Sequence, residues 1–210
     1  MEESDIYFLN AIGNLQKKLS NISYVFIGTN TNASPVIDTS WLRSINSTDL
    51  VYGTEPFPSA YSKCIKFFSE FPSIKAKMLN FAISNQNGFS KLYQGVSDWN
   101  KEKTGIHGTL ISPENSTGEY NNSMYVDVST VTFEYFVYLL NITKINVLII
   151  DVEGYEYEIL KQCLDMGFYP ELIYYEEFNM KQHEKEKSYN LLCNMYDITK
   201  CKYDNLCLLK

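Results

Sequence analysis

Apolar residues along this chain follow two different spacings. Short continuous apolar runs such as "YVFI" (24–27) and "VLII" (147–150) are typical of strands buried on both faces of a parallel sheet. Longer segments, such as residues 59–71, repeat apolar residues every three or four positions, as one face of a helix requires. Because strands alternate with such helices, the pattern predicts parallel β–α–β units. We therefore expect an α/β protein whose sheet has helices on both faces.

The same spacings predict the secondary structure of the whole chain. Strands are predicted within 23–28, 50–56, 74–84, 89–95, 125–133, 146–151 and 171–177. Helices are predicted at 5–19, 39–46, 59–71, 134–140, 155–166 and 184–195. The final segments "MYDITK" and "NLCLLK" predict a C-terminal antiparallel hairpin. Since no repeat, linker or low-complexity tract interrupts the pattern, we expect one domain over 1–210, with an N-terminal helix in 1–20 and a core over 21–210.

Composition narrows the class of protein. The 210 residues are 45% hydrophobic and 20% charged, which is typical of a globular chain rather than a disordered one. No apolar run approaches the ~20 residues of a membrane span, and the start "MEESDIYFLN" lacks the layout of a secretory signal. We therefore expect a cytoplasmic protein that does not enter a membrane. The five cysteines form no C-x-x-C pair, which agrees with a reducing compartment and argues against a zinc site, so no metal is predicted.

The charge balance argues against one class of partner. The formal net charge is −7 at pH 7, so composition predicts no basic face for the phosphates of duplex nucleic acid. Clustered lysines in "NLQKKL" and "KLYQGVSDWNKEK" are more simply interpreted as solvated surface. A nucleic-acid partner is therefore not expected.

The loops after the first two predicted strands carry candidate ligand-binding residues. In an open parallel sheet the ligand lies beyond the carboxyl ends of the strands. Gly28 follows the first strand and allows a close backbone approach, whereas Glu55 ends the second strand 27 residues later. That separation is similar to the ~20-residue spacing of acids that bind ribose hydroxyls. An ordinary turn glycine and a surface glutamate before Pro56 are the alternatives, but together the two residues indicate a nucleoside. The absence of G-x-G-x-x-G and of a P-loop motif disfavours dinucleotide and P-loop enzymes.

Acidic residues gather after two later strands. Asp151 and Glu153 follow "VLII" directly, and either the start of the next helix or an active-site rim explains them. Gly154 favours the second interpretation, because a glycine there suggests that backbone passes close to something. In "YYEEF", one of Glu176 and Glu177 is expected to point toward the same rim. Such carboxylates suit a base that deprotonates a hydroxyl, or ligands for a hard cation.

Histidine offers one further candidate. His107 lies in the glycine-flanked segment "TGIHGTL" and is predicted to contact the substrate, whereas His183 belongs to a solvated helix start. The surrounding polar segment 95–125 is expected to be a loop that shapes the substrate pocket.

Several segments resemble those of one known family. "LIIDVEGYEYEILK" resembles the I-D-V-E-G-x-E-x-x-V-L-K signature of FkbM-type methyltransferases. "VYGTEPFPSAYSKC", "LNFAISNQNGFSKLY" and "STVTFEYFV" resemble other segments of that family in the same order, so the resemblance extends roughly over 20–210. It implies a Rossmann-like class I methyltransferase fold: a seven-stranded, mostly parallel sheet with a C-terminal antiparallel hairpin. It also implies S-adenosylmethionine as cofactor and transfer of a methyl group to a hydroxyl of a small molecule, sugar or glycan.

The resemblance also implies a role for individual residues. The cofactor site would consist of Gly28, Asn30, Glu55, Ala82, Ile83 and Asp151. Gly28 and Asn30 would line the methionine and ribose side, Glu55 would bind the ribose hydroxyls, and Ala82 and Ile83 would flank the adenine. Asp151 would stand near the methyl group and the acceptor with Glu153 beside it. Together with His107, these two acids are the predicted catalytic residues.

The first cofactor segment departs from the family pattern. The family reads D-x-G-A-N-x-G where this chain has "FIGTNTN", so Phe26 replaces the acid and Asn32 replaces the second glycine. Asn tolerates positive φ better than most residues, so Asn32 is compatible with the turn. Phe26 motivates an alternative function, a non-catalytic binding module with a degenerate cofactor site. A further alternative, an RNA ribose methyltransferase, is disfavoured by the acidic charge and by the lack of a K-D-K-E tetrad.

Overall fold

A computed structural model describes residues 3–30, 39–95, 108–118 and 120–210. Its strands are, in chain order, β1 (Ser23–Ile27), β2 (Leu50–Thr54), β3 (Lys75–Leu79), β4 (Ala82–Ile83), β5 (Gly88–Gly95), β6 (Gly108–Thr109), β7 (Tyr120–Val131), β8 (Val147–Ile150), β9 (Leu172–Glu176), β10 (Tyr196–Lys200) and β11 (Asp204–Leu209). Its α-helices are α1 (Glu3–Lys18), α2 (Pro58–Ser69), α3 (Phe133–Leu140), α4 (Glu156–Asp165) and α5 (Gln182–Leu192), and a 3₁₀ helix spans Thr39–Ser44. Within the described residues, no helix has both the length and the apolar character needed to cross a membrane.

Seven strands form the main sheet in the order β10-β11-β9-β8-β1-β2-β3. β1, β2, β3, β8 and β9 are parallel, whereas β11 runs antiparallel to both β9 and β10. At the carboxyl end of β1, Ile27 pairs with Thr54 of β2 and Ile150 of β8. The predicted α/β fold with a C-terminal hairpin is therefore confirmed, and the loops after β1, β2 and β8 meet at one edge of the sheet.

The two faces of this sheet bury different sets of side chains. Val25 and Ile27 of β1 pack into a core with α3, α4 and α5, whereas Tyr24 and Phe26 pack into a second core with α1 and α2. Each of these four side chains is at most 2% exposed. Burial of an apolar side chain of this size stabilises a fold by about 1.5–3 kcal/mol. The continuous apolar run thus arises because helices cover both faces.

A second, four-stranded sheet has the order β4-β7-β5-β6. Its inner side chains Leu92 and Val128 are buried against Phe57 and Ala60, at the start of α2. This packing places the second sheet beside the carboxyl edge of the main sheet. It thereby forms one wall of the space above β1 and β2.

The structure corrects two predictions in this region. The segment 74–84 holds two strands, because the Asn80 side chain between them donates to the carbonyls of Glu55 (2.7 Å) and Pro56 (3.0 Å), and β4 then pairs with β7. The segment predicted as a loop contributes β6, and β7 begins at Tyr120, which pairs with the end of β5. These polar strands carry little apolar signal and depend on pairing with distant residues.

Candidate functional site

A cleft opens at the carboxyl ends of β1, β2, β4 and β8. It is lined by seven of the eight residues predicted for the site: Gly28, Asn30, Glu55, Ala82, Ile83, Asp151 and Glu153. The eighth, His107, lies outside the described residues. The structure therefore brings together residues that are far apart in the sequence, while their individual roles stay predictions.

Gly28 is required by the geometry of the loop after β1. Its φ is +80°, and a Cβ atom there would lie 1.8 Å from the backbone oxygen of Asp151. The Asp151 N–H donates to the Ile27 oxygen (2.9 Å), and the Gly28 N–H donates to the Thr54 oxygen (3.1 Å). Only glycine fits this crossing of backbones. The close backbone approach predicted at Gly28 therefore exists, and the approaching backbone is that of Asp151 in the loop after β8.

Glu55 joins the loops after β1 and β2 from a buried position. Its side chain is 4% exposed, and its carboxylate accepts the N–H groups of Asn30 (2.7 Å to Oε2) and Phe57 (2.9 Å to Oε1). Burial raises the pKa of Glu55 to about 7, although both hydrogen bonds oppose the shift. A surface glutamate before a turn is therefore excluded. Since each carboxylate oxygen has two acceptor positions, Glu55 retains capacity to accept hydroxyl donors from a ligand.

The chemistry of the cleft lining fits a nucleoside. The Thr54 hydroxyl is 1% exposed and, like the Asn30 side-chain oxygen, has no hydrogen-bond partner among the described residues. Buried polar atoms are normally satisfied, so these two atoms suit the polar groups of a ligand. Ala82, Ile83 and Leu92 supply an apolar wall in the same cleft, which suits a flat base.

Glu156 organises the acidic loop that follows β8. It is completely buried and accepts the N–H groups of Val152 (3.0 Å) and Gly154 (3.0 Å). Burial raises the pKa of Glu156 to about 7. Helix α4 begins at Glu156 itself, with Tyr155 as its N-cap. The interpretation of Asp151 as the helix N-cap is therefore excluded, and Glu156, rather than Asp151, carries the helix-start chemistry.

Glu153 adopts an unusual backbone conformation at the rim of the cleft. Its φ is +60°, in the left-handed region that a non-glycine residue enters at a cost of about 1–3 kcal/mol. Its Oε2 accepts hydrogen bonds from the Tyr120 hydroxyl (3.0 Å) and from the Asn179 side-chain amide. Sequence reasoning missed both partners, since they lie 33 and 26 positions away and belong to no motif.

Of the two acids at the end of β9, Glu176 lies near the acids of the cleft rim and Glu177 does not, as predicted. Glu176 lies near Asp151, Glu153 and Glu156; burial and these neighbouring carboxylates raise its pKa well above the ordinary range. Glu177 instead accepts a hydrogen bond from the Asn205 side chain (2.8 Å) and lies 3.4 Å from the Lys200 ammonium. In the part of the chain that the structure describes, no three His, Cys, Asp or Glu side chains are arranged to hold a metal ion.

Comparison with solved structures identifies the class of fold. The chain is similar to the MTase domain of METTL16, with a TM-score of 0.50 and 8% identity over 97% of this chain and 66% of that domain. It is also similar to precorrin-6y C5,15-methyltransferase from Geobacter metallireducens, with a TM-score of 0.49 and 10% identity over 95% of this chain and 87% of that one. Fibrillarin from Aeropyrum pernix, crystallised with natively bound S-adenosyl-L-methionine, has a TM-score of 0.47 and 10% identity over 93% and 72% of the two chains. At these identities the likeness concerns the fold alone, and the METTL16 domain, with its TM-score of 0.50, indicates a Rossmann-like methyltransferase fold.

The family follows from the sequence. The profile of the methyltransferase FkbM domain matches residues 27–195, so the chain belongs to the FkbM methyltransferase family. The resemblance in the "DVEGYE" segment is thereby confirmed. No curated protein matches the chain.

Phe26 stands where that family has an acid, and the structure shows where its ring goes. It is 1% exposed and packs in the core on the α1 side of the sheet, 6.5 Å from the ring of Tyr24. Phe26 is not among the described residues that line the cleft, so its ring does not fill the cleft. Asn32, the second departure, lies outside the described residues.

Proposed function

We propose that this protein is an S-adenosylmethionine-dependent methyltransferase that methylates a hydroxyl group of a small molecule, sugar or glycan. The observation that carries the proposal is the buried Glu55 facing the acidic Asp151 loop across one cleft. Membership of the FkbM methyltransferase family supports the same activity.

The residues of the cleft divide into a cofactor half and an acceptor half. Glu55 would accept the ribose hydroxyls, Ala82 and Ile83 would flank the adenine, and Gly28 would bring backbone near the methionine portion. When bound, S-adenosylmethionine supplies an electrophilic methyl group. The positive charge of that cofactor would be favoured beside the carboxylates of Asp151 and Glu153.

The acidic loop would hold and deprotonate the acceptor. The carboxylate of Asp151 would accept the proton that the acceptor hydroxyl loses on methylation. Glu153 would orient the acceptor from the same rim. Much of the rate would come from alignment of the two reactants, which converts a bimolecular step into an effectively unimolecular one.

Calorimetric titration of the purified protein with S-adenosylmethionine and S-adenosylhomocysteine tests the proposal. We expect both to bind, and Glu55→Ala to weaken binding by about 1–3 kcal/mol, because ribose donors lose their acceptor. Glu177→Ala is the matched control, since this acid also follows a strand but bonds Asn205 outside the cleft. Binding would justify a screen of sugars and small hydroxyl compounds, with an RNA oligonucleotide included for the ribose methyltransferase alternative.

Failure to bind either compound at millimolar concentration would contradict the proposal. The alternative, a non-catalytic module that keeps the fold for binding, would then be favoured, and the search would turn to protein partners.

A further inference from the structure

Three separate segments of the chain meet at the carboxylate of Glu153. Tyr120 is the first residue of β7 in the second sheet, and its hydroxyl donates to Glu153 Oε2 at 3.0 Å. Asn179 lies between β9 and α5, and its side-chain amide donates to the same oxygen. Two donors on one oxygen restrict the carboxylate far more than a single hydrogen bond does.

Two glycines make room for Asn179 in this arrangement. A Cβ atom on Gly154 would lie 2.8 Å from the Asn179 backbone oxygen. One on Gly118 would lie 2.5 Å from the Tyr120 ring and 2.9 Å from the Asn179 side-chain oxygen. The Thr117 hydroxyl donates to the Asn179 backbone oxygen at 2.6 Å. Asn179 is thus enclosed by the acidic loop on one side and by residues 117–118 on the other. A glycine is needed at position 154 for two reasons. Its φ is +106°, and the backbone of Asn179 passes against it.

We propose that Tyr120 and Asn179 are positioning residues that hold the Glu153 carboxylate at the rim of the cleft for methyl transfer. The inference rests on the proposed function. The left-handed backbone of Glu153 persists only if its surroundings determine it. Glu156 fixes the neighbouring backbone through Val152 and Gly154, and the donors Tyr120 and Asn179 fix the Glu153 carboxylate. A group that acts on a reacting atom must be held within a fraction of an ångström by such supporting contacts.

One of the two donors, Tyr120, belongs to the second sheet, so this sheet contributes directly to the site. Tyr120 belongs to a strand that pairs with β5, and β5 in turn contributes Leu92 to the cleft wall. The acidic loop, in contrast, belongs to the main sheet. The hydrogen bond between Tyr120 and Glu153 therefore joins the two sheets at the point where the acceptor would bind.

Tyr120→Phe and Asn179→Ala test the proposal, because each removes one donor from Glu153. The matched control is Tyr125→Phe on the same strand, whose ring contacts Tyr93 and Lys91 and does not line the cleft. Three quantities are measured for each variant: the Kd for S-adenosylmethionine, kcat and KM with the acceptor found in the screen, and hydrogen exchange of the amides in 151–155.

We expect either variant to lower kcat about ten-fold, the effect of one hydrogen bond to a charged group, while the Kd for S-adenosylmethionine stays within about two-fold. Amides in 151–155 should exchange faster in both variants, since the loop loses an anchoring contact. Tyr125→Phe should match the wild type in all three measurements.

Unchanged exchange and unchanged kcat in both variants would overturn the assignment, as would an equal effect of Tyr125→Phe. Absence of S-adenosylmethionine binding by the wild-type protein would contradict the proposed function instead. In that case hydrogen exchange alone still decides whether Tyr120 and Asn179 hold the loop.

Discussion

The two halves of the cleft are built in different ways. At the ends of β1 and β2, backbone groups of neighbouring strands bond one another, and Glu55 accepts two backbone N–H groups. At the ends of β8 and β9, side chains from distant segments converge on Glu153 and hold it in a left-handed conformation. The β1–β2 half is therefore held mainly by backbone hydrogen bonds and by Glu55, whereas the β8–β9 half depends on side-chain contacts from distant segments.

The largest effect is expected from Gly28→Ala, where the two halves touch. The new Cβ would meet the Asp151 oxygen and force a positive φ on alanine, so we expect a loss of about 3–5 kcal/mol in the free energy of unfolding. Urea denaturation measures it. Gly13→Ala is the control: Gly13 lies in α1 with open space at its Cβ position, and the change should stabilise by up to about 1 kcal/mol. Equal stability of the two variants would refute the backbone crossing as the reason for Gly28.

Asp151→Asn separates the chemistry of the acceptor half from binding in the cofactor half. Loss of a general base lowers kcat by about 100-fold or more, and we expect little change in the Kd for S-adenosylmethionine. Steady-state kinetics and calorimetry give the two values, with Asp127→Asn on the exposed side of β7 as control. Turnover at the wild-type rate would remove Asp151 from the mechanism.

Stability should depend on pH through one buried carboxyl in each half. The folded-state pKa values of Glu55 and Glu156 are raised to about 7, above the unfolded value of 4.5. The folded protein thus binds more protons than the unfolded chain between these values. The contribution of these two groups to the free energy of unfolding should be largest below pH 4.5 and fall by about 1–3 kcal/mol per group as pH rises to 7. Glu176, whose pKa is raised further, extends the fall above pH 7.

Urea denaturation across that pH range measures this dependence, and Glu55→Gln and Glu156→Gln should each remove part of the slope. A pH dependence that neither variant changes would contradict both assignments.

The smallest effect is expected from Phe26→Leu. The ring is buried on the α1 side, so a smaller apolar side chain should cost about 1 kcal/mol of stability and leave cofactor binding unchanged. Thermal denaturation and calorimetry measure the two. If binding changed more than stability, Phe26 would belong to the cofactor site after all.

Prediction from sequence succeeded where neighbouring residues decide the structure. The apolar runs of β1, β8 and β9 and the C-terminal hairpin appear as expected, with boundaries that differ by a few residues. Helix α5, for example, begins at Gln182 rather than 184, because the Lys181 N–H donates to the Glu184 carboxylate at 3.2 Å. In the second sheet, β5 and the later part of β7 were predicted, whereas β6 and the first residues of β7 were missed, because these polar segments lack an apolar pattern and are stabilised by pairing.

The candidate site shows the same contrast between residues that the sequence could locate and residues that it could not. Gly28, Glu55 and the Asp151 loop could be located because parallel strands bring their carboxyl ends to one edge. Neither Tyr120 nor Asn179 carried a signal, since each acts through a contact made only after folding. At Gly154 the prediction was partial. The sequence indicated that backbone passes close to something there, and the structure identifies this neighbour as Asn179.

By itself, the sequence determined the fold class, the family and the edge of the sheet at which the cleft opens. These depend on apolar periodicity and on short motifs, which are properties of residues close together in the chain. Only the tertiary structure decided that Glu156 rather than Asp151 carries the start of α4, that Phe26 turns away from the cleft, and that Glu153 is held by two distant donors. The physical reason is that burial, hydrogen-bond partners and backbone strain are set only when the loops, helices and sheets have packed together.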